Sequence, residues 1–217
     1  MARIPRFYIS NPSQYSVDLS PQQSHHLLRV LRYAQGAVLR VFHPLWGEWE
    51  GPWDGKSTVH ITQQIHPAPP RSYGFVCLFA LCKRYRDILE KGSELGVDAF
   101  YPCITRYSLT SSPALHRLES FVIHAAEQSG QIAVPKVHPL QPLQRAIESF
   151  GGNILRLDFG GTTSPPRQTP QGLLIGPEGG WHPSERHWGT PWCLGPNILR
   201  SETAAIAGIA RWHALGS

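Results

Sequence analysis

Apolar and polar positions alternate in short bursts along the first 70 residues. "FYI" from Phe7, "AVLRVFH" from Ala37 and "STVHITQQI" from Ser57 alternate or carry β-branched residues, the mark of strands with one covered face. One stretch changes character. In "SPQQSHHLLRVLR" the leucines at 27, 28 and 31 make an apolar stripe at helical spacing, and Ser20, Pro21 and Gln23 supply a cap, a first-turn proline and a capping box. "HPAPPR", His66 to Arg71, interrupts any regular element and predicts a boundary between residues 1–70 and 71–217. Beyond it the pattern lengthens. "YGFVCLFAL", "VDAFYPCI", "NILRLDF", "GLLIG" and "WCLG" are apolar runs of strand length. Between and after them stand helical stretches: "RYRDILEKGSELG" with a stop at Gly96, "ALHRLESFVIHAAEQSG" ending at Gly130, "PLQRAIESF" and "SETAAIAGIARWHAL". Strands separated by helices predict an α/β fold with a mostly parallel sheet. The first segment predicts a small β-barrel with one helix.

Composition narrows the class. Hydrophobic residues make up 41% of 217, enough for a packed core. A formal charge of +5 permits a polyanionic partner. Cys77, Cys82, Cys103 and Cys193 form no C-x-x-C pair and read as buried free thiols, which fits a reducing, cytoplasmic compartment. The longest apolar run, "FVCLFALC", is too short to span a membrane, and "MARIPRFYIS" lacks the apolar centre of a signal peptide. No H-E-x-x-H or paired-cysteine pattern predicts a metal.

Two glycine-proline turns carry the chemistry. "LLIGPEGGW" (Leu173–Trp181) and "LGPNILRSETAAIAGIA" (from Leu194) each put Gly-Pro directly after an apolar run. In open parallel sheets ligands bind beyond the carboxyl ends of strands. Glycine admits close backbone approach, and proline stiffens the loop. Neither loop is a phosphate loop or a G-x-G-x-x-G, because the lysine and the glycine spacing are missing. Backbone donors and acceptors suit a purine edge, and a nearby carboxylate suits a ribose hydroxyl or a positive charge. S-adenosylmethionine offers an adenosine and a sulfonium.

The two loops together closely resemble the 16S ribosomal RNA (uracil-N3) methyltransferases of the trefoil-knot, or SPOUT, class. "RIPRFY" at Arg3, "HHLLRVLR" at His25, "KGSELGVDAFYP" at Lys91, "TRYS" at Thr105 and "AAEQSG" at Ala125 occur in the order the family shows. The resemblance implies a PUA-like RNA-binding β-barrel over 1–70 and a knotted methyltransferase domain over 71–217. It also implies a homodimer that uses S-adenosylmethionine to methylate N3 of a uridine in 16S ribosomal RNA or the small ribosomal subunit. Rival readings are another knotted RNA methyltransferase, acting on ribose 2′-OH or on transfer RNA, and an inert RNA-binding protein of the same fold. Three features depart from the family: Gln131 stands where an arginine is usual, the segment 108–115 is short and carries Pro113, and "HPSERHWGTPW" leaves little room for a full helix.

By the resemblance, the cofactor lies against Leu174, Ile175, Gly176, Gly179, Gly180, Leu194, Gly195, Ile198 and Leu199, with Thr203 as a further contact. The leucines and Ile198 fit a core as well as a pocket wall. Arg200 is the candidate to stabilise negative charge on uracil oxygens, and Glu202 the candidate to take the N3 proton or simply to complement the helix start. Ser201 reads as the cap of the last helix. Arg3, Arg6, Arg29 and Arg32 oppose a single acid, Asp18, in the first 33 residues, and with His26 they suggest a phosphate-contacting face. Arg106, after a predicted strand, is the RNA candidate in the second segment.

Overall fold

The computed structural model describes residues 4–70, 74–164 and 171–216, with side chains described to residue 214. Arg3 lies outside them. The chain forms two compact units, one of residues 1–71 with 126–134 and one of residues 72–125 with 135–217.

In the first unit, β1 (Arg6–Tyr8) runs parallel to β3 (Val38–His43). The latter pairs antiparallel with β4 (Gly47–Pro52), and β4 with β6 (Gln63–His66). A second ladder joins β2 (Ser16–Asp18) to β5 (Thr58–His60). Phe7, Val17, Leu39, Val41, Trp53 and Val59 meet inside, the inward half of each alternating strand. The run "STVHITQQI" breaks into β5 and β6 because its partners change. Ile61 N–H donates to Tyr15 O, whereas Thr62 N–H donates to Glu50 O. "GEWEGP" gave no strand signal, since glycine, proline and acids are poor strand formers. It forms β4 because Glu48 finds a buried partner in Arg6.

The helix start follows the sequence pattern. Ser20 Oγ accepts from Gln23 N–H and Gln23 Oε1 accepts from Ser20 N–H, capping α1 (Pro21–His25). The expected stripe does not follow. From His26 to Leu31 the backbone is π-helical, and Arg32 leaves it with φ +56°. The wider turn breaks the three-and-four spacing. Leu27 is fully buried, while Leu28, Val30 and Leu31 are 45%, 61% and 41% exposed. Arg29 and Arg32 are therefore not neighbours on one α-helical face.

Among the described residues of the second unit, seven strands form one sheet, ordered β10-β8-β7-β12-β11-β13, with β9 also beside β8. Every pairing is parallel. They are β7 (Val76–Ala80), β8 (Ala99–Ile104), β9 (Lys136–Val137), β10 (Gln141–Pro142), β11 (Ile154–Thr162), β12 (Gly172–Ile175) and β13 (Thr190–Trp192). The helices α2 (Tyr85–Glu94), α3 (Leu115–Ser129), α4 (Leu143–Phe150) and α5 (Ser201–Gly216) match the four predicted ones. Gly96 closes α2 at φ +82°, where a side chain would be strained. Both faces of β7 are sealed, as its continuous apolar run required, and all four cysteines are buried free thiols. The expected strand "WCLG" shifts toward the N-terminus. β13 ends at Trp192, where Cys193 N–H donates to Thr162 O, and the following backbone turns away. "HPSERHWGTPW" supplies one 3₁₀ turn, Pro183–Glu185, capped by the His182 ring.

Candidate functional site

β11 lies between β12 and β13, so the "GPEGG" and "LGPN" loops leave the sheet on either side of it. Beyond these strand ends opens a cavity of about 520 Å³, bounded by both loops and by the start of α5. A volume of this size suits a nucleoside-sized ligand.

The structure separates core from wall. Ile175, Gly176, Gly179, Gly180, Leu194, Gly195, Ile198, Leu199 and Arg200 all line the cavity. Leu174 does not; it is fully buried in the core, one residue before the strand end. Thr203 is exposed and outside the wall, because the first turn of α5 carries it away while Ala204 faces in. Ile198 is 82% exposed and Leu199 38%. Large apolar side chains bared at a cavity are the informative exception to ordinary burial.

The glycines divide by what a side chain would meet. At Gly176 a Cβ would come within 2.9 Å of the Trp181 ring, and at Gly179 within 2.8 Å of Tyr107 Cβ. Gly180 holds φ +73°. At Gly195 a Cβ would meet no protein atom within 4 Å, so a side chain there enters the open space along which the wall runs. Trp181 is fixed by donating its indole N–H to Leu157 O at 2.9 Å.

Arg200 is exposed, and its carbonyl accepts from Ala204 N–H, the first bond of α5. Arg200 thus stands at the capping position, and Ser201 is inside the helix rather than its cap. Glu202 is buried to 8% exposure, does not line the cavity and pairs with Arg84 Nε at 3.5 Å. Nearby, Glu178 accepts from Lys83 N–H at 2.9 Å, tying the "GPEGG" loop to the turn between β7 and α2. Burial, reinforced by Glu178 and Glu202, pushes the Cys82 thiol up to about 12, which removes it as a nucleophile.

Leu157, Asp158 and Phe159 also line the cavity, as do Arg186 and Asn197, and none of these carries a site motif in the sequence. "NILRLDF" reads as a plain strand, and its aspartate was the only cue, a polar residue at the end of an apolar run.

The basic residues fare unevenly. His26, Arg29 and Arg32 are exposed in the first unit. Arg106 is exposed in the second, with its backbone N–H held by Glu185 Oε1 at 2.8 Å. Arg6 is a correction. Its side chain is only 6% exposed, paired with Glu48 and bonded to the carbonyls of Ala126 and Gln131, so it cannot meet a phosphate. No helix among the described residues is long and apolar enough to cross a membrane. Among them, no cluster of three or more His, Cys, Asp or Glu could hold a metal ion.

The RNA methyltransferase domain family matches residues 70–213. Ribosomal RNA small subunit methyltransferase E from Rickettsia conorii is 28% identical over 91% of this chain and 89% of its own length. The protein of the same name from Neisseria gonorrhoeae, solved bound to S-adenosyl methionine, superposes with a TM-score of 0.85 at 26% identity, covering 98% of each chain. A Legionella pneumophila protein solved with the cofactor SAM gives 0.86 at 28% identity, covering 99% of this chain and 98% of that one.

Proposed function

The chain belongs to the RNA methyltransferase domain family, and on that premise we propose that it transfers a methyl group from S-adenosylmethionine to N3 of a uridine in small-subunit ribosomal RNA. One observation carries this. The two glycine-proline loops and the head of α5 converge on a single cavity whose wall is bare backbone and exposed apolar side chain.

The residues fit the methyl donor. Open backbone at Gly180 and Gly195 admits a purine edge, and Ile175, Leu194, Ile198 and Leu199 offer apolar cover. Asp158 and Arg200 bring charges of both signs to the wall, so the cavity is polar at two points as well as apolar. When bound, S-adenosylmethionine supplies an electrophilic methyl group on sulfur. Arg200, together with the positive N-terminus of α5, stabilises the negative charge that develops on uracil oxygens as N3 loses its proton. Glu202, paired with Arg84 and outside the cavity wall, complements the positive start of α5 instead of taking that proton. The target base leaves its stack to reach the cavity.

Residues 1–70 act as a PUA-like β-barrel that binds RNA through Arg29, Arg32 and His26, and Arg106 adds a contact from the methyltransferase domain, residues 71–217. The last strands and α5 thread into a trefoil knot; parallel pairing of β11 with both β12 and β13 supports this. The enzyme works as a homodimer in the cytoplasm, on 16S ribosomal RNA or the small subunit.

The test is methylation of small ribosomal subunits with labelled donor, followed by mass mapping of the nucleoside. Label in 3-methyluridine is expected. Label on a ribose 2′-oxygen or on transfer RNA would assign a different reaction, and no label would leave an RNA-binding protein.

A further inference from the structure

β11 does not end cleanly. Leu157 and Thr162 both register against Trp192 of β13, so residues 158–161 loop out of the ladder between them. Such bulges re-aim side chains, and here Asp158 and Phe159 turn to the cavity. The bulge is built to fit. A Cβ at Gly161 would come within 2.7 Å of the backbone of Pro191 and Trp192, so only glycine closes it.

Asp158 is also anchored. Arg156, with 4% of its side chain exposed, gives Nη2 to Asp158 Oδ2 at 3.1 Å. Its Nη1 donates to the carbonyls of Trp188, at 2.9 Å, and Arg186. A guanidinium held from three sides leaves the carboxylate little freedom. Among the described residues, Asp158 Oδ1 has only a long contact of 3.4 Å from Gly160 N–H, and it retains acceptor capacity.

Position selects the ligand group. Two strand spacings, about 10 Å, separate the loops after β12 and β13, and Asp158 lies at the middle strand. If those loops read the purine, the sugar attached to it rests against β11. A methionyl ammonium would lie several bonds further off. We propose that the Asp158 carboxylate accepts hydrogen bonds from the ribose diol of the bound nucleoside. This rests on the S-adenosylmethionine reading of the cavity.

The experiment is calorimetry with S-adenosylmethionine, S-adenosylhomocysteine and 2′,3′-dideoxy-S-adenosylhomocysteine. The wild type is expected to bind the dideoxy compound tenfold or more weakly than its parent, as roughly expected for a lost bond to a charged acceptor. Asp158→Asn keeps an oxygen for Arg156. It is expected to lose about tenfold for the parent and to bind parent and dideoxy compound within about threefold of each other. Melting curves verify its fold. A wild type that binds both homocysteine compounds equally overturns the proposal, whatever the variant does. So does a variant that keeps full discrimination, or one that weakens S-adenosylmethionine alone, which would put the carboxylate at the sulfonium. Wild type that binds neither S-adenosylmethionine nor its product fails the underlying reading instead.

Discussion

Arg6 Nε and Glu48 Oε1 meet at 2.5 Å, with 6% and 4% of their side chains exposed. The guanidinium also lies 3.6 Å from the Phe42 ring centroid and bonds the carbonyls of Ala126 and Gln131 at 2.7 Å each. An arginine that looked like part of a phosphate-binding face is thus a staple. Removing one partner of a buried pair strands the other. Arg6→Ala should lower the stability of the protein by about 3–5 kcal/mol in chemical denaturation. A loss within 0.5 kcal/mol, the usual range for a surface residue, would return Arg6 to the surface.

Arg29 and Arg32 are exposed, which the proposed phosphate contact requires. Replacing both with alanine should weaken RNA binding at every sequence and flatten the plot of log affinity against log salt by about two units, one per contact. Methyl-donor affinity measured alongside should stay unchanged. An unaltered salt slope would leave the two arginines as solvated surface.

Gly195→Val should reduce S-adenosylmethionine affinity at least tenfold, with little change in melting temperature. A Cβ there meets no protein atom within 4 Å, so the added side chain projects toward the cavity that Gly195 lines rather than into the core. Equal calorimetric affinity in a folded variant would take Gly195 out of the site.

Arg200→Ala should cut turnover by about 10²–10³ and leave donor affinity within threefold, since its proposed partner is charge that appears only during reaction. If affinity falls in step with turnover, Arg200 belongs to donor binding.

Burial raises the thiols of Cys77, Cys82 and Cys103 above the ordinary 9.0, that of Cys82 to about 12. Unfolding frees them to ionise near their ordinary value. Their stabilising effect is therefore fully present below pH 9 and is lost as pH climbs toward the folded values. Each should contribute a loss of about 1.4 kcal/mol per pH unit in that window. Denaturation at pH 8, 9 and 10 should show a steepening decline, and Cys103→Ala should lessen it. A flat profile above pH 9 would contradict the burial.

Legibility in the sequence followed the strength of local signals. The four helices of the second unit and its apolar strands were readable because periodicity and glycine stops agree there. The glycine-proline loops were readable as turns at strand ends, and the structure brings both to one cavity. Strand β4 was hidden, since its Glu48 is explained only by an arginine 42 residues away. The π-helical turn was hidden too, because "HLLRVL" satisfies the α pattern equally well. Asp158 was missed for the same reason as β4: its significance depends on a register shift against Trp192, which no window of sequence contains.

Residues 126–134 group with the first seventy-one, although they follow most of α3 in the chain. The polypeptide therefore passes between its two units three times, and the proline-rich stretch is only one of the passages. Exchange of parts between relatives by a single crossover at that stretch would join Arg6 to a 126–134 segment from the other parent, whose backbone carbonyls must then stand where those of Ala126 and Gln131 do. A chimera that respects the boundary between the units has to be spliced at three places.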